Sequence, residues 1–191
     1  MKGFLSGMLI TLGAYAFLNV GGAIGALLFA FGIISIVKLQ IPLYTGVAGT
    51  DIKFIDKIEV LGQNIAGSLV ASFLLALCYT QKIPFESAQG IMATKLATPL
   101  YISFIKAIMC GMIVDISVYL SKQTNSTIPL IFGIPLFILC GFNHSIADVT
   151  YIILGADGNM DNPLKLTWYY TLCILGNYVG CNIRQICLNK K

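Results

Sequence analysis

The stretch "LCGFNHSIADV", Leu139–Val149, decides how the rest of the chain is read. It carries the only histidine of the protein, His144, and a carboxylate, Asp148. Apolar sequence lies on both sides, "TIPLIFGIPLFILC" before it and "TYIILG" after it. An ionisable ring and an acid are costly where water is scarce unless they are paired, so their presence needs a reason. Gly141 and the polar pair Asn143 and His144 interrupt the apolar run, and a continuous helix is expected to stop there.

The surroundings are those of a membrane protein. Of 191 residues, 57% are hydrophobic and 10% charged. The mean hydropathy is +0.85, above the soluble globular range. No charged side chain occurs from residue 3 to residue 37. A crossing of the hydrocarbon core takes roughly 17–25 apolar residues as a helix. Six segments are expected, near 3–20, 22–38, 58–80, 100–120, 127–155 and 167–187. The fold class is therefore an all-α polytopic membrane protein. The first segment does not read as a cleavable signal peptide, because it lacks a small-residue cleavage site and a second apolar segment follows at once. A turn is expected in "NVGGA", Asn19–Ala23.

Other classes are disfavoured. The net charge of +4 is dispersed, which gives nucleic acid no basic patch. Six cysteines stand singly in apolar segments, without CxxC or Cys/His spacing, so neither a metal site nor a disulfide framework is expected. No phosphate loop or nucleophile–base set is present, and neither an enzyme nor a cofactor is expected.

Basic residues near segment ends set the orientation. Lys2, Lys53, Lys57, Lys122, Arg184, Lys190 and Lys191 fall on one side, and Lys82, Lys95 and Lys165 on the other. Seven against three predicts an inner (plasma) membrane protein with both termini cytoplasmic. Internal repetition adds a second constraint. The third segment has Asn64 and Gly67 at N-x-x-G spacing, and the sixth has Asn177 and Gly180. The second segment also breaks, at "KLQIPLYTGVAGTD", Lys38–Asp51, where Pro42, Gly46 and Gly49 oppose a helix. Three crossings followed by three more, with the middle one of each set broken, is the pattern of an inverted repeat. One transmembrane channel domain over 1–191 is expected, with halves near 3–80 and 98–188. A helix that starts in mid-membrane exposes N–H groups and partial positive charge, which favours an anion. Irregular backbone survives at that depth only where it lines a cavity or is buried in protein.

At these residues the sequence resembles the formate/nitrite transporters. The family has an L-F-T-G-like loop in its second helix and G-F-x-H-x-x-A-[ND] in its fifth; here these read Leu43-Tyr44-Thr45-Gly46 and Gly141-Phe142-Asn143-His144-Ser145-Ile146-Ala147-Asp148. Its G-N-x-x-G is matched by Gly176, Asn177 and Gly180, and the likeness runs in order along nearly the whole chain. The resemblance implies an aquaporin-like fold assembled as a homopentamer, with one pore per subunit. It implies passage of formate, nitrite, hydrosulfide or short carboxylates. It implies that His144 hydrogen-bonds Thr45 between apolar constrictions at Phe29, Ile33, Leu43, Tyr44, Val118 and Phe137. Helix geometry agrees, since Phe29 and Ile33 are one turn apart and Phe137 precedes His144 by two turns. With an unperturbed pKa of about 6.5, a histidine there can give a hydrogen bond or a proton to a passing anion.

Several positions depart from the family pattern. Asp115 stands where an asparagine usually faces the histidine, so Asp115 and Asp148 together are expected near His144. The attracting lysine falls near Pro99, with Lys95 one turn earlier, and Lys38 has no counterpart. The stretch from Leu43 to Asn64 is short, so the second half of the second helix is expected to be abbreviated. The expected pathway residues are thus His144, Thr45, Asn143, Asp115, Asp148 and Lys95. Two carboxylates leave open a pore for a neutral or cationic solute such as ammonia or hydrogen sulfide. The short loops leave open a non-conducting membrane subunit.

Overall fold

The computed structural model describes residues 1–78, 82–156 and 162–188; Lys190 and Lys191, counted in the orientation, lie outside them. The described residues form helices and no strand: α1 (Lys2–Val20), α2 (Gly22–Lys38), α3 (Tyr44–Val47), α4 (Phe54–Leu77), α5 (Ile83–Ala97), α6 (Leu100–Thr124), α7 (Ile128–Leu139), α8 (Ser145–Leu154) and α9 (Pro163–Leu188). Three of them, α1, α4 and α6, are long and apolar enough to cross a membrane, and α2, α7 and α8 are shorter apolar helices. The turn expected in "NVGGA" lies at Gly21 and Gly22.

Helix α5 was not anticipated. Its sequence, "IPFESAQGIMATKLA", is too polar to read as a crossing, and Pro84 starts it while Pro99 separates it from α6. It buries Pro84, Ala88 and Met92 against the rest of the molecule.

The radial distribution of polarity is the reverse of a water-soluble bundle. Large apolar side chains such as Phe31, Phe73, Phe132 and Leu136 are exposed on the outside. The interior holds Thr11, Thr45, Asn64, Asn143, Asp148 and Asn177, all nearly or fully buried. That arrangement suits lipid outside and a polar path or polar network within.

Two helix pairs hold the frame. Helix α1 packs on α4 and α6 on α9, each at backbone contact distance. A Cβ on Gly67 would overlap the Phe4 carbonyl, and one on Gly180 would overlap the Ile108 carbonyl. Small residues at such crossings let helix backbones approach closely enough for dense packing in a membrane. These glycines are the ones in the two N-x-x-G stretches.

Helices end within both of the stretches at Lys38–Asp51 and Leu139–Val149. Helix α2 ends at Lys38, Gln40 takes a left-handed φ of 53°, and α3 starts at Tyr44 and lasts one turn. Helix α7 ends at Leu139, Gly141 turns the chain at φ 64°, and α8 runs for ten residues from Ser145.

Candidate functional site

The starts of α3 and α8 are held by two asparagines in matching ways. Asn64 accepts from the Tyr44 amide at 2.7 Å and donates to the carbonyls of Gly3 at 2.8 Å and Pro42 at 3.2 Å. Asn177 accepts from the Ser145 amide at 2.8 Å and donates to the carbonyls of Ala107 at 2.9 Å and Asn143 at 2.8 Å. Each asparagine therefore binds the first amide of a short helix, the carbonyl two residues before that amide, and a carbonyl of a long neighbouring helix. An unpaired buried amide costs about 2–7 kcal/mol in an apolar medium, so these side chains are what let helices begin at this depth. This corrects one expectation. The amides of Tyr44, Ser145 and Ala147 are occupied by protein and do not stand free for an anion.

His144 caps α8 itself. Its Nδ1 accepts from the Ala147 amide at 3.2 Å, and its Nε2 lies 3.1 Å from Thr45 Oγ1. A nitrogen that accepts carries no proton, so the neutral ring has its proton on Nε2 and donates it to Thr45. The Thr45 hydroxyl hydrogen is then free to point elsewhere. Both residues are nearly or fully buried. The Phe137 ring stacks on the imidazole at 5.6 Å, and Phe29 meets Phe137 edge-on at 5.9 Å.

Two cavities lie near this pair, one reaching His144 and the other lined by Leu43 and Gly46 of the Thr45 loop. One, of about 120 Å³, is lined by Phe17, Lys95, Phe137, His144, Asp148 and Tyr151, among others. The other, of about 580 Å³, includes Ile33, Lys38, Leu43, Val118, Ser121 and Lys122. Of the expected constriction residues, Ile33, Leu43 and Val118 border the larger cavity and Phe137 the smaller. Tyr44 borders neither, because its buried hydroxyl donates to the Ile174 carbonyl of α9 at 3.4 Å.

The charged residues sort into two ion pairs. Lys95, in the last turn of α5, donates to Asn143 Oδ1 at 2.7 Å and stands 3.1 Å from Asp148 Oδ1. The other Asp148 oxygen accepts from the Tyr169 hydroxyl at 2.5 Å. The one-turn displacement of Lys95 is thus absorbed by the bend at Thr98–Pro99, and the lysine reaches the site. Asn143 is turned toward Lys95 and the Ser103 carbonyl, away from the small cavity. Asp115 does not bond His144 as expected. Its carboxylate takes a two-pronged contact from Arg184, at 2.6 Å to Nε and 3.3 Å to Nη2. The sequence marks Arg184 only as an orientation charge and does not mark Tyr169, since each meets its partner across a long separation that spacing does not reveal.

The family model for formate/nitrite transporters matches residues 1–188. Over 127 residues the chain is 25% identical to the nitrite transporter NirC of Escherichia coli K12, covering 62% of this chain and 45% of that protein; NirC of Shigella flexneri matches equally. The match thus spans a little under half the length of those relatives. Among solved structures, a pentameric formate channel with formate bound superposes with a TM-score of 0.82 at 18% identity, over 98% of this chain and 93% of that one. An FNT family ion channel gives 0.78 at 15% identity, over 95% and 84%. These likenesses agree with the outward apolar surface: this is a helical membrane protein, and the chain belongs to the formate/nitrite transporter family.

Proposed function

We propose that the chain is a pore for small monovalent anions, the class that includes formate, nitrite, hydrosulfide and short carboxylates, with passage linked to protons at His144. The observation that carries this reading is the buried His144–Thr45 pair, packed against Phe137, with one cavity reaching His144 and another lined by Leu43 and Gly46 of the Thr45 loop. On this reading the chain crosses the membrane six times as two inverted halves, about 3–80 and 98–188, within one domain. Helices α2 and α3 are the second crossing, and α7 and α8 the fifth. The matched asparagine bonds support that reading, because they relate α1, α3 and α4 to α6, α8 and α9. Both termini lie in the cytoplasm of an inner-membrane protein. Five copies assemble, as in the pentameric formate channel that the fold resembles.

The steps follow from the residues. Lys38 and Lys122 draw an anion into the larger cavity. Ile33, Leu43 and Val118 strip its water, and a bare charge between apolar walls is costly. The Thr45 hydroxyl, held by His144, donates to the anion at that point. A weak-acid anion stripped there takes a proton carried in by water from the bulk, while the neutral His144 ring keeps its Nε2 proton on Thr45; the neutral acid then passes Phe29 and Phe137 at little cost. Lys95 compensates charge in the smaller cavity.

The reading for a cationic solute rested on two unmatched carboxylates. Both are ion-paired, which removes its motive. Proteoliposome flux tests the proposal. His144→Phe is expected to reduce acid-stimulated formate or nitrite uptake to the level of protein-free vesicles. Thr45→Val is expected to lower it roughly ten- to a hundredfold, equivalent to about 1.5–3 kcal/mol for a hydrogen bond to a charged group. Full uptake by folded His144→Phe would overturn the role of the histidine.

A further inference from the structure

Lys95 also borders a third cavity, of about 390 Å³, that does not include His144. Its wall holds Lys106, Ser103, Thr94, Thr98 and Asn143, and no carboxylate. Lys106 lies two turns into α6 and is half-buried, and among the described residues it has no ion-pair partner. Ser103 stands one turn before Lys106, is 1% exposed, and its hydroxyl has no hydrogen-bond partner. That hydroxyl has almost no surface open to the cavity, so it is wall and not a donor to a ligand. Thr94 and Thr98 are not free donors, because their hydroxyls already bond the Gly90 and Thr94 carbonyls. The donors left are the Lys106 ammonium and Lys95. They stand close to the start of α6, which has no side-chain cap and adds partial positive charge.

From this arrangement we infer that the cavity between α5 and the first turns of α6 binds a phosphate-class oxyanion through Lys106 and Lys95. The space exceeds what formate needs and suits a tetrahedral anion. The phosphate comes from an anionic headgroup or from free phosphate. Occupancy has a consequence that rests on the anion-pore reading. Lys95 makes its bonds to Asn143 and Asp148 with one ammonium. An oxyanion that attracts this ammonium leaves Asp148 less compensated in the cavity it shares with His144, and permeant anions are repelled.

Inorganic phosphate titrated into purified protein, followed by phosphorus NMR, tests the site without any transport. Wild type should saturate; Lys106→Gln should weaken binding about tenfold, the scale of one charge-assisted hydrogen bond, and Lys106→Arg should restore it. Absence of saturable binding, or binding indifferent to Lys106→Gln, overturns the site. External phosphate should also slow formate uptake in wild type and leave Lys106→Gln unaffected. Binding without that slowing overturns the link through Lys95 while the site stands. No formate uptake in any sample points to failure of the pore reading instead. Vesicles of phosphatidylglycerol and of zwitterionic lipid separate the sources. A headgroup lowers the wild-type rate in the former and leaves free phosphate no further effect; free phosphate acts alike in both.

Discussion

The two helix interruptions begin alike and end differently. Each starts from an amide held by an asparagine of the N-x-x-G stretches, and each of those asparagines also ties down the chain before it. Helix α3 then stops after one turn, whereas α8 continues for ten residues. The shorter helix contributes a hydroxyl, Thr45, and no residue of the carboxylate, imidazole or ammonium kind. The longer one contributes the imidazole and Asp148, and it needs a lysine from α5 and a tyrosine from α9 to hold that acid. A break of one turn suffices to present a hydrogen-bonding group; holding a charge at the same depth takes a longer helix and neighbours on two sides. Even the balancing of helix dipoles is divided in this way. Asp148 sits in the first turn of α8, and Lys57 caps the end of α3 by donating to the Ala48 carbonyl at 2.8 Å.

The largest stability effect is expected on the charged side. Lys95→Met strands the Asp148 carboxylate with only the Tyr169 hydroxyl and the Cys173 thiol as donors. Breaking one partner of a buried pair costs about 3–5 kcal/mol. Thermal unfolding in detergent should fall sharply for Lys95→Met and recover when Asp148→Asn is added. Failure of the second substitution to rescue would mean that Lys95 acts by packing, and the contrast between the two breaks would weaken.

The asparagines come next. Asn64→Ala and Asn177→Ala each orphan an amide and carbonyls, for a loss of about 2–4 kcal/mol for the groups left unbonded together. The expected outcome is a similar loss for both, because the bonds match in kind and length. A near-neutral Asn64→Ala beside a damaging Asn177→Ala would show that the two starts are alike only in appearance.

The sequence made the interruptions legible because glycine, proline and polar residues stand inside otherwise apolar runs, and a helix has no other reason to carry them there. The pairing of His144 with Thr45 was legible only through the family likeness, since no local pattern joins residues on separate elements. Helix α5 stayed hidden because its apolar content is ordinary and its burial comes from contacts with other helices. The partner of Asp115 stayed hidden for a different reason. Arg184 lies near the end of a helix, where a basic residue reads as an orientation signal, and only the packing of α6 on α9 turns it inward. Asn64 and Asn177 were visible as a repeat, but their work on the helix starts depends on where Tyr44 and Ser145 come to lie.

The smallest effect is expected at the end of α3. Lys57 is 6% exposed, and Lys57→Met removes its bond to Ala48 while keeping most of its apolar stem. The carbonyl is not abandoned, because Asn182 also donates to it at 3.2 Å. The loss should therefore be about 1 kcal/mol, the usual net value of one hydrogen bond, and formate flux should change little. Lys57→Met and Asn182→Ala together should cost more than the sum of the two, since only the double variant leaves Ala48 without a donor. If Lys57→Met alone matched the loss of Lys95→Met, the charge at the end of the one-turn helix would matter as much as the acid in α8. The division between a hydroxyl-bearing break and a charge-bearing break would then fail.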